Sequence, residues 1–331
     1  MTLSPLVIPS PPESVWYLGP VPIRAYALAI LIGIGIGWWL TARRWKALGG
    51  SGEVLEGILM WAVLCGILGA RAYHVATDSH LYFGEGRTWY RIFFIWEGGL
   101  GIWGAVAAGA LGAWWRTRKA GVSFATVADC VAPGLLLAQG VGRLGNWFNQ
   151  ELYGRPTDLP WALAIDPWHR IPGYEEYATY HPTFLYELLW TFLLAGLLLG
   201  AQRRFALGRG KLFALYIAGY SLGRFFIEAL RIDTVTQIGG FRLNNYTSAI
   251  VFLVGVALFG WLLRYRPGAN PRIAPAPSQT GRTGTETEPT PDGAAADEDL
   301  PSETAPDRAQ DKAPLPVSRT GSQEPAAGAG D

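Results

Sequence analysis

Apolar and polar positions in this chain fall in blocks. Seven stretches of mostly apolar residues, at about 23–41, 54–76, 98–115, 122–143, 183–201, 211–229 and 246–263, are separated by short polar segments. A hydrocarbon core about 30 Å thick is crossed by a helix of about 20 apolar residues. The pattern therefore predicts about seven transmembrane helices and an all-α, polytopic membrane protein. Several spans hold a single polar residue and many hold glycine, as membrane helices often do. The pattern stops at Pro267. Residues 267–331 are rich in Pro, Thr, Ala, Gly and acid, cannot bury a core, and are expected to form a disordered acidic tail. Three regions result: an N-terminal arm (1–22), a seven-helix membrane domain (23–266) and the tail.

Charge gives the direction. "RRWK" follows the first span and "RTRK" the third; Arg203, Arg204, Arg209 and Lys211 follow the fifth, and Arg264, Arg266 and Arg272 the seventh. The alternate loops carry Asp78, Glu85, Asp158, Asp166, Glu175, Glu176 and Asp233 with fewer net positives. The positive-inside rule then predicts an external N-terminus and a cytoplasmic C-terminus in the cell membrane. The net charge of +1 averages unlike parts: 5 basic and 11 acidic residues from Pro267 onward, against 22 and 15 before it. Half of all residues are hydrophobic and 15 are Trp, which argues against a soluble protein. The first twenty residues lack a basic flank and hold too many prolines for a secretory signal peptide, so they read as a retained arm.

Cys65 and Cys130 lie in apolar runs and read as small buried hydrophobes. No metal-ligand spacing surrounds them or the four histidines. No metal, cofactor or nucleic-acid partner is expected.

With this orientation, polar side chains converge on the outer half of the membrane. Tyr26 opens span 1, Arg71 and Tyr73 end span 2, Trp103 opens span 3, and Arg143 and Asn146 close span 4. His181 and Tyr186 open span 5, while Tyr220, Arg224, Glu228 and Arg231 line the outer part of span 6. Inner segments such as "LIGIGIGWWL" are nearly featureless. Each intramembrane charge costs roughly 2.5–3.5 kcal/mol on insertion scales, so such residues are functional candidates. Tyr220, Arg224 and Glu228 are spaced by four and share a helical face. The Arg224–Glu228 pair either neutralises itself or holds a guanidinium for a phosphate. Two arginines suit a phosphodiester, because each offers a permanent charge and a bidentate fork. The obvious anion at that depth is a phospholipid head group. Gly142 and Gly145 permit close approach, Asn146 and Asn149 can bond phosphate or glyceryl oxygens, and Glu151 can orient Arg143 or accept a proton. Asp129, within span 4, reads equally as a hydrogen bond to a neighbouring helix. "GGLGIWG" (98–104) has no GK[ST] and is not a phosphate loop.

"GRLGNWFNQELYG" (142–154) resembles the signature of bacterial phosphatidylglycerol–prolipoprotein diacylglyceryl transferases. "RAYALAI", "GARAYHV", "WEGGLGIWG", "HPTFLYE" and "GRFFIEALR" resemble that family's other blocks in the same order, over about residues 15–265. The resemblance implies transfer of diacylglyceryl from phosphatidylglycerol to the lipobox cysteine thiol of a preprolipoprotein signal peptide, with glycerol phosphate leaving. It implies functional roles for Arg143, Asn146, Glu151, Gly154, Arg224, Glu228, Tyr26 and Tyr220. Where many members carry histidine in "GGxxxHG", this chain has Trp103, so a mechanism requiring that imidazole does not apply. The candidate catalytic set is Arg143, Arg224, Glu151 and Tyr26. The candidate substrate-binding set is Arg143, Asn146, Gly154, Tyr220, Arg224, Glu228, His181 and Arg71. A lipid transporter or flippase would carry polar residues through to the inner side, and a lipid-binding scaffold would not need the carboxylates and tyrosines.

Overall fold

A computed structural model describes residues 7–83, 86–235 and 237–273. Seven long helices dominate these residues: α1 (Ala25–Ala47), α2 (Gly52–Thr77), α3 (Ile102–Lys119), α4 (Phe124–Phe148), α5 (Thr183–Phe205), α6 (Lys211–Leu230) and α7 (Leu243–Tyr265). All except α3 are long and apolar enough to cross a membrane. The last turn of α3 carries Arg116, Arg118 and Lys119, which leaves only a short apolar stretch before them. The expected third span, 98–115, is thus a helix of 18 residues, Ile102–Lys119.

Local chemistry marks several ends. Ser51 caps α2, its Oγ accepting from Val54 N at 3.4 Å. α5 stops at Ala206, whose φ is 49°, and α6 starts after Gly210 at φ 97°. α4 runs to Phe148, five residues past the expected end of span 4. Arg143, Gly145 and Asn146 thus stand on its last turns.

α4 is the most buried membrane helix. It packs on α1 backbone to backbone: a Cβ added to Gly37 would lie 3.1 Å from Gly134 O, and one on Gly33 would lie 2.8 Å from Ala138 O. Small residues allow the same intimacy between α2 and α3, at Gly109 against Ala62 and Gly112 against Trp61. Leu136, Leu194, Leu198 and Leu212 join α4, α5 and α6 in one core; Trp45, Leu55, Ile58 and Cys130 join α1, α2 and α4 in another. The outward faces, such as Leu189, Leu193 and Leu197 of α5 and Ile250, Leu253 and Val254 of α7, stay exposed and apolar, as surfaces that meet lipid tails must.

The helices alternate in direction, so the starts of α5 and α7 lie with the ends of α4 and α6, joined by Arg143–Glu187 and Asn244–Glu228 contacts. At the opposite end the α1–α2 and α3–α4 turns face residues 271–273 around one cavity. The basic last turns of α1, α3, α5 and α7 end there.

Small sheets dress the other end. β1 (Val15–Leu18) and β2 (Val21–Arg24) form a hairpin leading into α1. β3 (Leu163–Ala164) pairs with β4 (Thr179–Tyr180) between α4 and α5, and Ile8 joins β3 in parallel. Trp147 Nε1 donates to Pro9 O at 3.1 Å, so the arm lies across the α4–α5 loop. A third hairpin, β5 (Gln237–Ile238) with β6 (Phe241–Arg242), leads into α7. Of the expected tail, residues 267–273 fold back until Ile273 N reaches Leu48 O at 2.7 Å; residues 274–331 lie outside the described residues.

Candidate active site

A single polar network ties α4, α5, α6 and α7 together at the hairpin-bearing end. Its centre is Glu187, one turn into α5. Oε1 of Glu187 accepts from Arg143 Nη2 at 2.8 Å, and Oε2 from Arg224 Nη1 at 3.2 Å. The Tyr220 hydroxyl donates to Glu187 Oε1 at 3.0 Å. One carboxylate of 4% side-chain exposure thus bridges the two arginines.

Each arginine is also held from its other side. Arg143 Nη1 donates to Asn146 Oδ1 at 3.2 Å, and Asn146 Nδ2 donates to Glu151 Oε1 at 2.8 Å. Asn149 donates to the same Glu151 oxygen at 3.3 Å. The turn that brings Glu151 back under α4 uses positive φ at Gln150 (52°) and Leu152 (59°), rare for residues with a Cβ. Arg224 Nη2 reaches Glu228 Oε2 at 2.6 Å along its own helix. Glu228 is fully buried and also accepts from Arg231, Arg242 and Asn244 at 3.4, 2.8 and 3.0 Å. Arg231 and Arg242 both bond Asp233. Burial pushes the Asp233 carboxyl upward, but the hydrogen bonds and charge of Arg231 and Arg242 outweigh it and hold it below the ordinary range. Four guanidiniums (Arg143, Arg224, Arg231, Arg242) and four carboxylates (Glu151, Glu187, Glu228, Asp233) make the network neutral when all are ionised.

Beside it lies a cavity of about 340 Å³ lined by Tyr26, Ile30 and Ile34 of α1, Gln139, Arg143 and Asn146 of α4, and Tyr220 of α6. Gly145 makes room for Tyr26: a Cβ there would press on the Tyr26 ring and backbone. Half-buried, permanently charged donors next to an apolar slot are suited to an anion that carries hydrocarbon.

A family model for prolipoprotein diacylglyceryl transferase matches residues 13–261. The chain belongs to the prolipoprotein diacylglyceryl transferase family. It is 52% identical over 275 residues to the phosphatidylglycerol–prolipoprotein diacylglyceryl transferase of Cutibacterium acnes, covering 83% of this chain and 93% of that one. It is 51% identical to transferase 1 of Streptomyces coelicolor, over 88% of this chain and 82% of that one. With the Frankia alni transferase it shares 54% identity, over 81% of this chain and 70% of that one.

Against this family background the expected site residues divide. Arg143, Asn146, Glu151, Tyr220, Arg224 and Glu228 meet in one network, and Tyr26 lines its cavity. Gly154 is a packing position: a Cβ would stand 2.8 Å from His181 Cβ and 3.1 Å from Leu230 O. His181 lies beside Gly154, its Nδ1 3.1 Å from the Tyr186 hydroxyl, and does not line the cavity. Burial, then the positive charge of Arg155, hold its imidazole below the usual value. Arg71, expected in the substrate-binding set, stands apart from this network and lines a different cavity. Its Nε donates to Ile92 O (2.7 Å), its Nη1 to Gly98 O (2.8 Å) and Gly99 O (3.0 Å), and its Nη2 to Arg91 O. A guanidinium so occupied by carbonyls has little left for a phosphate. Asp129 keeps its helix-to-helix role, accepting from the start of α6.

Sequence reasoning missed Glu187, Arg242 and Asn244. Glu187 ends "HPTFLYE", but its partners come from two other helices. Arg242 and Asn244 flank the entry to α7, outside the span expected at 246. The signal available was charge balance: Arg143, Arg224 and Arg231 at one depth require more acid than Glu228 alone.

Proposed function

We propose that this chain transfers the diacylglyceryl group of phosphatidylglycerol to the lipobox cysteine thiol of preprolipoproteins. The carrying observation is the pair Arg143 and Arg224, drawn to one carboxylate beside a half-apolar cavity in a member of this family. The network end faces outward and the basic helix ends face the cytoplasm, in keeping with the positive-inside rule.

The substrate thiol is the nucleophile. A thiol of pKa near 8.5 is a few per cent thiolate at neutral pH. It attacks the glyceryl carbon that bears the phosphate oxygen. A C–S bond forms, the C–O bond breaks, and the phosphodiester leaves as a monoester with one more negative charge. Arg143 and Arg224 hold that growing charge more strongly than the starting diester, which lowers the barrier. Asn146 and Glu151 fix Arg143 from behind, and Glu228 fixes Arg224. Tyr26 and Tyr220 border the acyl and glyceryl region, while Gly154 keeps the α4–α5 loop seated on α6.

The test is to incubate the purified chain in phosphatidylglycerol vesicles with a lipobox peptide and weigh the product. The expected result is a peptide heavier by one diacylglyceryl group, absent when the peptide cysteine is serine. An unmodified peptide, or lipid moved across the vesicle without transfer, would overturn the reading.

A further inference from the structure

Glu187 already occupies the ground a lipid phosphate would need. Its two oxygens lie one on each guanidinium, at 2.8 Å from Arg143 and 3.2 Å from Arg224. The two non-bridging oxygens of a phosphodiester would use the same donors. Both anions cannot hold both forks, so the lipid displaces Glu187.

That displacement disturbs the charge balance. The network is neutral with its four guanidiniums and four carboxylates ionised. A phosphodiester adds one negative charge, and its departure as a monoester adds a second, in a space poorly screened by water. A proton entering the network offsets the excess. The other carboxylates are poorly placed to take it. Glu228 is gripped by Arg224, Arg231, Arg242 and Asn244, Asp233 by Arg231 and Arg242, and Glu151 lies behind Asn146. Glu187 faces Arg143 from α4 and Arg224 and Tyr220 from α6. Once the arginines turn to phosphate, Tyr220 alone of these remains. The Tyr220 side chain also lines the cavity, so its hydroxyl joins cavity and carboxylate within proton-transfer distance, 3.0 Å from Oε1.

We propose that Glu187 holds the phosphate's place on Arg143 and Arg224, is released by the arriving lipid, and then receives the substrate thiol's proton through Tyr220. The proposal rests on the transferase reading. The thiol proton passes to the Tyr220 oxygen as that hydroxyl's own proton passes to Glu187. The sulfur electron pair forms the C–S bond, and the C–O pair leaves on the phosphate oxygen. When glycerol phosphate departs, Glu187 gives its proton to water and pairs with the arginines again. The sequence of steps requires no imidazole and fits the presence of Trp103.

The test compares the full-length chain with Glu187→Gln and Tyr220→Phe in phosphatidylglycerol vesicles, from pH 6 to 9. Both variants should lose about 100-fold or more in kcat. Glu187→Gln should also lower KM for the lipid several-fold, since its competing charge is gone. Residual turnover of both should climb about tenfold per pH unit toward the thiol's ordinary pKa near 8.5, while the native chain does not follow that slope. Tyr220→Phe leaves both ion pairs standing and carries the test if Glu187→Gln fails to fold. Native-like turnover by Tyr220→Phe, or residual activity indifferent to pH, overturns the proposal. A native chain that lipidates no peptide overturns the transferase reading instead.

Discussion

Asp129, inside α4, receives the first turn of α6 on both carboxylate oxygens: Oδ2 accepts from Gly210 N at 2.8 Å and Oδ1 from Phe213 N at 2.9 Å. The residue is fully buried, so its charge is satisfied by backbone donors that would otherwise be orphaned at a helix start. Asp129→Ala should cost about 1–3 kcal/mol of stability, seen as a lower midpoint of thermal unfolding in detergent. Transfer per folded molecule should stay near native, because thirteen residues of α6, about 20 Å of helix, separate this cap from Arg224.

At the polar end, charge alone should not be enough. Arg143 spreads two nitrogens over Asn146 and Glu187, and Arg224 spreads two over Glu187 and Glu228. A lysine cannot span either pair. Arg143→Lys and Arg224→Lys should each lower the initial rate of peptide lipidation by about 100-fold or more. Arg224→Ala should in addition destabilise the fold by about 3–5 kcal/mol, since buried carboxylates lose a partner. Adding Glu187→Gln should restore part of the unfolding midpoint without restoring transfer.

Arg71 makes a different prediction. Its bonds to the carbonyls of Arg91, Ile92, Gly98 and Gly99 pin the stretch between α2 and α3. Arg71→Lys should loosen that stretch and cost about 1.5–3 kcal/mol. Limited proteolysis checks it: cleavage between residues 86 and 101 should quicken while the rest of the bundle resists as before.

His181 should remain neutral at pH 7, because burial and Arg155 hold its imidazole below the ordinary value near 6.5. A lowered folded value means that the unfolded chain binds the proton first. The stability tied to neutral His181 is therefore present above about pH 6.5 and is lost as pH falls through the folded value. Titration of isotope-labelled histidine by NMR should place its midpoint below that of an unfolded histidine; a midpoint at or above it would contradict the assignment.

Much of the architecture is legible in the sequence because a bilayer tolerates few alternatives: apolar runs must become helices. The errors have physical causes. The polar look of "GRLGNWF" suggests that α4 ends at Arg143, yet its glycines keep the helix going against Tyr26. Arg71 looks like a ligand for phosphate. The carbonyls it binds come from a turn with φ of 88° at Gly98 and 72° at Gly99, a geometry that composition does not reveal. Glu187 is hard to single out because the start of a helix is an ordinary place for an acid. Only the packing of α5 between α4 and α6 turns it into the hub of two arginines.

The seam of Gly33, Gly37, Gly134 and Ala138 has a consequence for traffic. Two helices locked along their spines make a stiff wall, and Tyr26 and Arg143 ride on it at a fixed separation. Any widening for a two-tailed guest falls to the cavity side, where Ile30 and Ile34 of α1 line the same space as Tyr220 of α6 and are themselves exposed and apolar. A two-tailed guest entering on that side would keep its tails against apolar side chains and out of water.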